Sequence, residues 1–364
     1  MAADDAELKI SHEESERISI LKVWLCIMVV FVHAYKTGLN MAEGTVAIHD
    51  PAWLSSMKYI ISQILASSAV PAFFFLSAYF LYRKPFSWKK NIAKKARSLL
   101  VPYFILNAYW ILVFFAGQQI PFIRPLIASP ENIVADWDFG RWLGAFFGSP
   151  SRSIPMLSPL WFIRDLFVLN LLSFVFGWFV KKLGRFSLAV FILVWLLLDS
   201  TQIFFLNVQA LCFWGIGCWF ATRRKPVSSL DRTRAVTAAA YPCLVAAAYL
   251  VRNQGMVSLI VLRLCLLTGT VFWYVCATQI KKEKIRKRLL YISRYSFCIF
   301  LFHEMHLTFL QKILAKLMPQ SAVFAVLEYF GIPVVIIAFC VVLSRLLEKY
   351  TPGFYRIISG GRSR

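Results

Sequence analysis

Charged residues are scarce in this 364-residue chain, and acidic residues are scarcer than basic ones. Only 16% of the residues are charged, and 18 Asp and Glu stand against 40 Lys and Arg. An average soluble domain carries about a quarter charged residues. Hydrophobic residues make up 59% of the chain and are grouped in long runs. One soluble core does not need many separate runs of about 18 apolar residues, so the composition predicts a polytopic helical membrane protein.

The net charge of +22 would fit a nucleic-acid binder if its position were ignored. A protein that binds nucleic acid places its basic residues on a soluble face among polar neighbours. Here they lie in short loops between apolar runs, as the positive-inside rule describes for membrane proteins. We therefore expect the basic loops to lie beside a lipid bilayer. No nucleic-acid partner is expected.

Cysteine motifs for metal binding are also missing. The eight cysteines lie in apolar segments, and none has a Cys-x-x-Cys or zinc-type spacing. We expect small buried thiols rather than disulfides or metal ligands. A cleavable signal peptide is not expected either, because residues 1–16 are polar and acidic where such a peptide has a basic region.

Apolar segments separated by polar loops predict an all-α fold, a bundle of about ten transmembrane helices. The segments are approximately 18–37, 58–82, 98–117, 160–180, 186–200, 203–221, 235–251, 257–279, 291–311 and 321–347. The predicted organisation is a polar N-terminal tail (1–16), a transmembrane domain (17–347) and a basic C-terminal tail (348–364). The stretch 118–159 is the one sizeable loop expected on the outer side.

Basic loops follow the even-numbered segments, and this regularity predicts the orientation. Residues 83–97 hold seven Lys and Arg and no acid. The loops 181–185, 223–234 and 281–288 are basic as well, whereas the loops after odd-numbered segments are poor in Lys and Arg or balanced by acids. Because basic loops stay in the cytoplasm, we expect a multi-pass inner-membrane protein with both termini cytoplasmic.

Two ionisable residues, Lys22 and His33, lie in the first apolar segment. Eleven residues at about 100° each nearly complete three turns, so both side chains share one helix face. Their separation along the axis is about 16 Å at 1.5 Å per residue. Because ionisable groups facing lipid are costly, this face is expected to line the bundle interior or a wet cavity. The alternative is that Lys22 reaches the inner headgroups and His33 caps the outer interface.

Other polar residues in apolar segments have two interpretations each. Arg164 and Asp165 lie near the start of the fourth segment. They are either functional groups or a structural pair at the membrane interface. His303 and His306 lie on one helix face with Glu304 between them, which is too few ligands for a metal site. For His303 a structural or acceptor-lining role is expected. Three tryptophans of the outer side would stack on a sugar ring or belong to the lipid belt, namely Trp137, Trp142 and Trp161.

Several short motifs, taken in order, resemble the integral-membrane acyltransferase 3 family over roughly residues 17–347. Besides the basic-x10-His pattern of the first segment, they read VPAFFFLSAYFL (70–81), KKARSLLVPY (94–103), SPLWFIRD (158–165) and SRYSFCIFLFH (293–303). The resemblance implies an O-acyltransferase of the cell envelope. Such an enzyme moves an acyl group, usually acetyl, from cytoplasmic acyl-CoA to a hydroxyl of an extracytoplasmic or lipid-linked glycan. It implies acetyl-CoA as co-substrate and no metal.

The resemblance also implies roles for individual residues. His33 matches the family histidine and is the expected catalytic residue, as a general base or as a transient acyl carrier. Lys22 stands where the family usually has arginine, so it would hold a phosphate of CoA as a point charge rather than bidentately. The donor-binding candidates are Lys22, Arg83, Lys94, Lys95 and Arg97. The candidates for acceptor binding or oxyanion stabilisation are Ser77, Trp161, Arg164, Asp165 and His303.

Two classes of protein other than an enzyme share some of these features. A transporter or flippase for a lipid or polymer also fits bundled segments with buried charge. However, it has no particular need for a histidine eleven residues from a cation, and broken helices in matching halves are not found. A membrane scaffold does not explain the buried ionisable residues. Because no hydrolase-like domain is seen in the chain, direct acylation of the acceptor is expected. The acceptor's identity, the acyl length and the oligomeric state, including a homodimer, stay open.

Overall fold

The computed structural model describes residues 10–127, 132–148, 154–198, 202–203, 206–280, 282–318 and 321–362. In these ranges the chain is mostly helical, and its few strands form two antiparallel pairs. The predicted all-α class is therefore confirmed for the described residues.

The helices and strands follow one another with short connections. The helices are α1 His12–Ala34, α2 Ala52–Tyr82, α3 Trp88–Gln118, α4 Arg124–Ile127, α5 Phe139–Phe147, α6 Leu160–Leu171, α7 Ser173–Leu183, α8 Phe186–Leu197, α9 Val208–Thr222, α10 Arg234–Leu250, α11 Gly255–Gln279, α12 Glu283–Ser293, α13 Ser296–Leu317, α14 Ala322–Tyr350 and α15 Pro352–Ile358. The strands are β1 Gly38–Met41, β2 Gly44–Ala47, β3 Gln202–Ile203 and β4 Leu206–Asn207. Short 3₁₀ helices cover Val134–Asp136 and Val227–Thr233.

Six helices in the described ranges are long and apolar enough to cross a membrane, namely α1, α2, α3, α11, α13 and α14. Helices α6 and α7 are bent by 60° at a short break and make a seventh span if they count as one. Each of the ten predicted segments contains a helix or this bent pair. Because α8, α9 and α10, with 12, 15 and 17 residues, are shorter than a full crossing, the number ten stays a prediction.

Local sequence signals explain where several helices begin. The Ser11 hydroxyl accepts a hydrogen bond from the Glu14 N–H at 3.1 Å, just before the apolar run of α1. Asp138 caps α5 in the same way, since its carboxylate accepts the Arg141 N–H at 2.7 Å. Such side chains satisfy backbone donors that the first helical turn leaves unpaired.

The described chain forms two compact units. The first consists of residues up to Val29, Gln63–Lys95 and Asp165–Ser296. Its centre is the packing of α2 against α9, where Gly217 lies against the Phe75 carbonyl so closely that a Cβ atom would collide with it. Helices α10 and α11 form a second pair in this unit. Close helix contact at a small residue is a common way of packing helices in membranes.

The second unit consists of Val30–Ser62, Ala96–Arg164 and Phe297–Arg364. It includes the β1–β2 hairpin, whose turn uses Gly44 at φ 115°. Polar bonds join its helices inside the unit. The hydroxyls of Ser62 and Tyr329 are 2.7 Å apart, and the Gln311 side-chain amide donates to the Ala34 carbonyl at 3.1 Å. The first bond joins α2 to α14, and the second joins α13 to the C-terminal end of α1.

Six of the eight cysteines are buried, as expected for small apolar side chains. Cys276 is half-buried, and Cys243 is exposed on the outward face of α10. The expectation of buried thiols is therefore wrong for Cys243. Its position in an apolar segment indicated burial, but one face of a helix in such a segment can face outward.

Candidate functional site

A basic cavity of about 540 Å³ lies in the first unit, between α1, the end of α2 and the start of α3. Its described lining includes no carboxylate and six cationic side chains, which are Lys22, Arg83, Lys84, Lys90, Lys94 and Lys95. Four of the five residues predicted to bind the donor are therefore brought together. Lys84 and Lys90 belong to the same basic loop, but the sequence motifs did not single them out.

Lys22 reaches this cavity from the apolar helix α1. Its side chain is half-buried, and its Nζ lies 5.5 Å from the centre of the Phe80 ring. The guanidinium of Arg83 lies 5.8 Å from the same ring. An aromatic face attracts cations, so Phe80 stabilises both charges at the cavity wall. Ser77, predicted to be an acceptor or oxyanion residue, also lines this basic cavity.

The fifth donor candidate, Arg97, lies in the second unit. It is exposed in the π-helical turn Ala96–Leu100 of α3 and is not among the residues that line the basic cavity. The structure leaves its predicted role in donor binding untested.

Two imidazoles meet in the second unit. His33, near the C-terminal end of α1, and His303, on α13, have ring centres 5.0 Å apart in an edge-to-face arrangement. His33 is half-buried, and His303 is fully buried. In this pair the partly accessible ring of His33 can contact solvent or a ligand. The buried ring of His303 packs against it and holds it in place.

The backbone of α13 fixes the protonation of His303. Its Nδ1 lies 3.0 Å from the Ile299 carbonyl and 2.9 Å from the Phe300 carbonyl. Because carbonyl oxygens only accept hydrogen bonds, Nδ1 must donate, and the neutral ring then carries a lone pair on Nε2. This Nε2 is buried and has no hydrogen-bond partner in the described part of the chain. His303 can therefore accept a proton or a hydrogen bond.

His306 has a different environment, although it follows His303 by one helical turn. Its Nδ1 lies 2.6 Å from the Phe302 carbonyl, and its ring packs against Trp110 and Phe339. Among the described residues no three His, Cys, Asp or Glu side chains come together as a metal site would require.

The residues of the motif SPLWFIRD are placed by distinct contacts. Arg164 is buried and donates from Nη1 to the Phe147 carbonyl at 2.8 Å, which holds the end of α5 within the second unit. Asp165 belongs to the first unit, is fully buried and accepts the Asn207 N–H at 3.0 Å. Trp161 is half-buried. The structure gives Arg164 and Asp165 clear packing roles and leaves their predicted acceptor roles untested.

A larger cavity of about 860 Å³ lies in the second unit. It is bounded by β1, α5, α13 and the loops beside them. Its polar and aromatic lining includes Lys36, Asn40, Trp137, Arg141, Glu304, Thr308 and Lys312. Along the chain Lys36 follows His33 closely, and Glu304 is next to His303. The size and the mixed lining are typical of a ligand site.

Sequence reasoning singled out Trp137 but missed the three cations of this larger cavity. Lys36 carried a usable signal, since it lies within the predicted apolar segment 18–37, where a lysine is rare unless it serves a site. Lys312 and Arg141 carried none, because both lie outside the predicted apolar segments. Their convergence depends on how β1, α5 and α13 are arranged.

Comparison with known proteins identifies the class of this chain. Residues 16–345 match the family model described as an acyltransferase domain. Because this match covers most of the sequence, the chain belongs to that acyltransferase family and is an acyltransferase enzyme of the membrane. The resemblance inferred from the short motifs is confirmed.

One curated relative is the succinoglycan biosynthesis protein ExoH of Rhizobium meliloti (strain 1021). It is 24% identical over 358 residues, which cover 96% of this chain and 93% of that protein. No solved structure matches the chain.

Proposed function

We propose that this enzyme transfers an acetyl group from cytoplasmic acetyl-CoA to a hydroxyl of a cell-surface or lipid-linked glycan. The observation that carries the proposal is the pair of imidazoles, 5.0 Å apart, in a chain of an acyltransferase family. Acyl transfer to a hydroxyl needs a base that titrates near neutrality, and imidazole is the usual choice. The name of the relative ExoH, which refers to the biosynthesis of succinoglycan, supports a polysaccharide acceptor.

The orientation belongs to the same proposal. The enzyme spans the inner membrane ten times, with both termini in the cytoplasm. The basic loops after the even-numbered segments support this arrangement. In that orientation Lys22 is near the cytoplasmic end of α1, and His33 is nearer the outer side.

The basic cavity of the first unit is the proposed donor site. The nucleotide end of CoA carries several phosphates, and six cations with no carboxylate beside them attract such a group. Five of the six are lysines, which hold phosphates as point charges and allow some freedom of position. The flexible arm of the donor then extends along α1, where Lys22 and His33 are separated by about 16 Å of helix.

His33 is the proposed general base. As the acceptor hydroxyl oxygen attacks the thioester carbonyl, His33 takes the hydroxyl proton and a tetrahedral intermediate forms. When the carbon–sulfur bond breaks, the protonated His33 returns the proton to the CoA sulfur. His303 supports the imidazolium through its Nε2 lone pair, since its Nδ1–H is held by the α13 backbone. A transient acyl group on His33 is the alternative route, and trapping of acyl-enzyme would reveal it.

The 860 Å³ cavity of the second unit is the proposed acceptor site. Trp137 offers an aromatic face on which a sugar ring stacks, and the polar side chains offer hydrogen bonds. Arg164 acts there by holding the end of α5, the helix that carries Arg141 into the cavity. The acceptor roles expected of Ser77, Trp161 and Asp165 remain predictions.

Membrane vesicles containing the cell's own glycans test the proposal. Inside-out vesicles expose the cytoplasmic face, so they should incorporate label from radioactive acetyl-CoA into the glycan as an alkali-labile ester. Right-side-out vesicles should not, because the donor cannot reach its site. Movement of glycan across the bilayer without release of CoA would favour the transporter alternative and contradict the proposal.

A further inference from the structure

Cations outnumber carboxylates in the acceptor cavity of the second unit. Its described lining contains Lys36 beyond the end of α1, Arg141 on α5 and Lys312 on α13, against the single carboxylate of Glu304. The three cations come from three different elements. The fold therefore brings positive charge to one place from distant parts of the sequence.

Internal ion pairs do not account for this charge. Lys312 donates from Nζ to the Leu126 carbonyl at 2.8 Å, a neutral acceptor that leaves its charge in place. No ion pair to Lys36, Arg141 or Lys312 occurs among the described residues. Elsewhere in the same unit a buried lysine is neutralised, since Lys58 meets Asp50 at 2.8 Å. The cavity thus retains an excess of positive charge in a protein where such charge is costly.

We propose that this cavity selects an anionic glycan, one whose sugar carries a carboxylate or phosphate group. Lys36, Arg141 and Lys312 surround the anion, and the planar guanidinium of Arg141 suits both kinds of oxygen pair. Trp137 lies in the same wall and accommodates the sugar ring. Calling this glycan the acyl acceptor rests on the proposed function, but the charge preference is a property of binding and can be measured without acyl transfer.

Binding of three matched glycans to the purified full-length protein tests the inference in the absence of acyl-CoA. The probes are a tetrasaccharide of β-1,4-linked glucose, its C6-carboxylated form and its C6-phosphorylated form. Complementary charge predicts that at least one anionic form binds about tenfold more tightly than the neutral one, with an advantage that shrinks as salt rises. The stronger of the two anionic forms identifies the group that the cavity prefers.

A double variant, Lys36→Gln with Arg141→Gln, should remove most of this preference, so that the ratio of anionic to neutral affinity falls close to one. Arg124→Gln is the matched control, because Arg124 is exposed on α4 and does not line the cavity. Size-exclusion chromatography and thermal unfolding check that each variant is folded. Equal or undetectable binding of all three glycans by the wild type, or an unchanged preference in the double variant, would overturn the inference. His33→Ala should keep the preference, so loss of transfer and loss of anion selection are separate results.

Discussion

His303 is the more constrained of the two facing imidazoles, and its constraint leads to a first prediction. Replacing His303 by Phe keeps a ring against His33 but removes the Nε2 lone pair. We expect kcat to fall by about 10- to 100-fold, near the lower range of acid–base effects, with the KM for acetyl-CoA unchanged. Steady-state kinetics of acetyl transfer provide the measurement.

The matched control for this change is His306→Phe. His306 packs against Trp110 and Phe339 rather than against His33, so kcat should change little. Equal losses in the two variants would show that general packing of α13, rather than the His303 nitrogen, is responsible.

Lys22 leads to a second prediction, which concerns the affinity for the donor rather than the rate of the chemical step. Lys22→Ala should raise the KM for acetyl-CoA by about tenfold, or about 1.4 kcal/mol, with little change in kcat. Lys22→Arg should match or improve the wild-type affinity, because a guanidinium holds phosphate bidentately. Lys89→Ala is the control, since Lys89 is an exposed cation near the start of α3 that does not line the basic cavity. A KM that is the same in Lys22→Ala and the wild type would contradict the donor assignment.

At the residue scale, the sequence predicted the basic cavity better than the histidine pair. Lys22, Arg83, Lys94 and Lys95 were expected together, because a dense basic loop beside a helix end concentrates charge whatever the packing. The contact between His33 and His303 joins α1 to α13 and depends on tertiary packing. Periodicity places each histidine on a helix face but does not reveal which face another helix covers.

Among the elements, α5 depends on a cap that can be removed. Asp138→Ala should destabilise the first turn of α5 by about 1 kcal/mol, a typical cost for losing an N-cap. Amide hydrogen exchange in residues 139–142 should then accelerate by about fivefold, the factor that corresponds to about 1 kcal/mol. Asp138→Asn should retain most of the protection. Unchanged exchange in Asp138→Ala would mean that packing, rather than the cap, holds this helix.

The helices themselves were largely predictable, but their irregularities were not. Hydropathy predicted one segment at 160–180, whereas the structure has α6 and α7 bent by 60°. At the break, carbonyls receive hydrogen bonds from outside the helix, since the indole of Trp88 donates to Leu171 and the Tyr82 hydroxyl donates to Ser173. Partners from α2 and α3 thus replace helical bonds. A hydrophobicity pattern contains no information about such partners.

At the scale of the whole molecule, the predicted orientation has a direct test. A fluorescent protein fused to the C-terminus should fold and emit light, because green fluorescent reporters mature in the cytoplasm. An alkaline phosphatase fusion at the same position should be inactive, since that enzyme needs the oxidising outer compartment. The reverse pattern would contradict a cytoplasmic C-terminus and the even number of spans that it requires if the N-terminus is also cytoplasmic.

The division into two compact units was not predicted. The sequence indicated one transmembrane domain over 17–347, and this extent stays a prediction. Each unit nevertheless combines three separated stretches of chain. Hydropathy and loop charge report on single segments and their orientation, so they cannot show which distant segments pack together.

The role of His33 as the base for acyl transfer is tested most directly by one comparison of three proteins. Purified wild type, His33→Ala and His49→Ala are given radioactive acetyl-CoA and the same glycan, with folding checked by thermal unfolding. His49 is exposed beyond β2 and serves as the matched histidine control. We expect His33→Ala to lose at least about 100-fold in rate, within the range of general-base catalysis, while His49→Ala stays active. A folded His33→Ala protein that transfers acetyl at the wild-type rate would contradict the account.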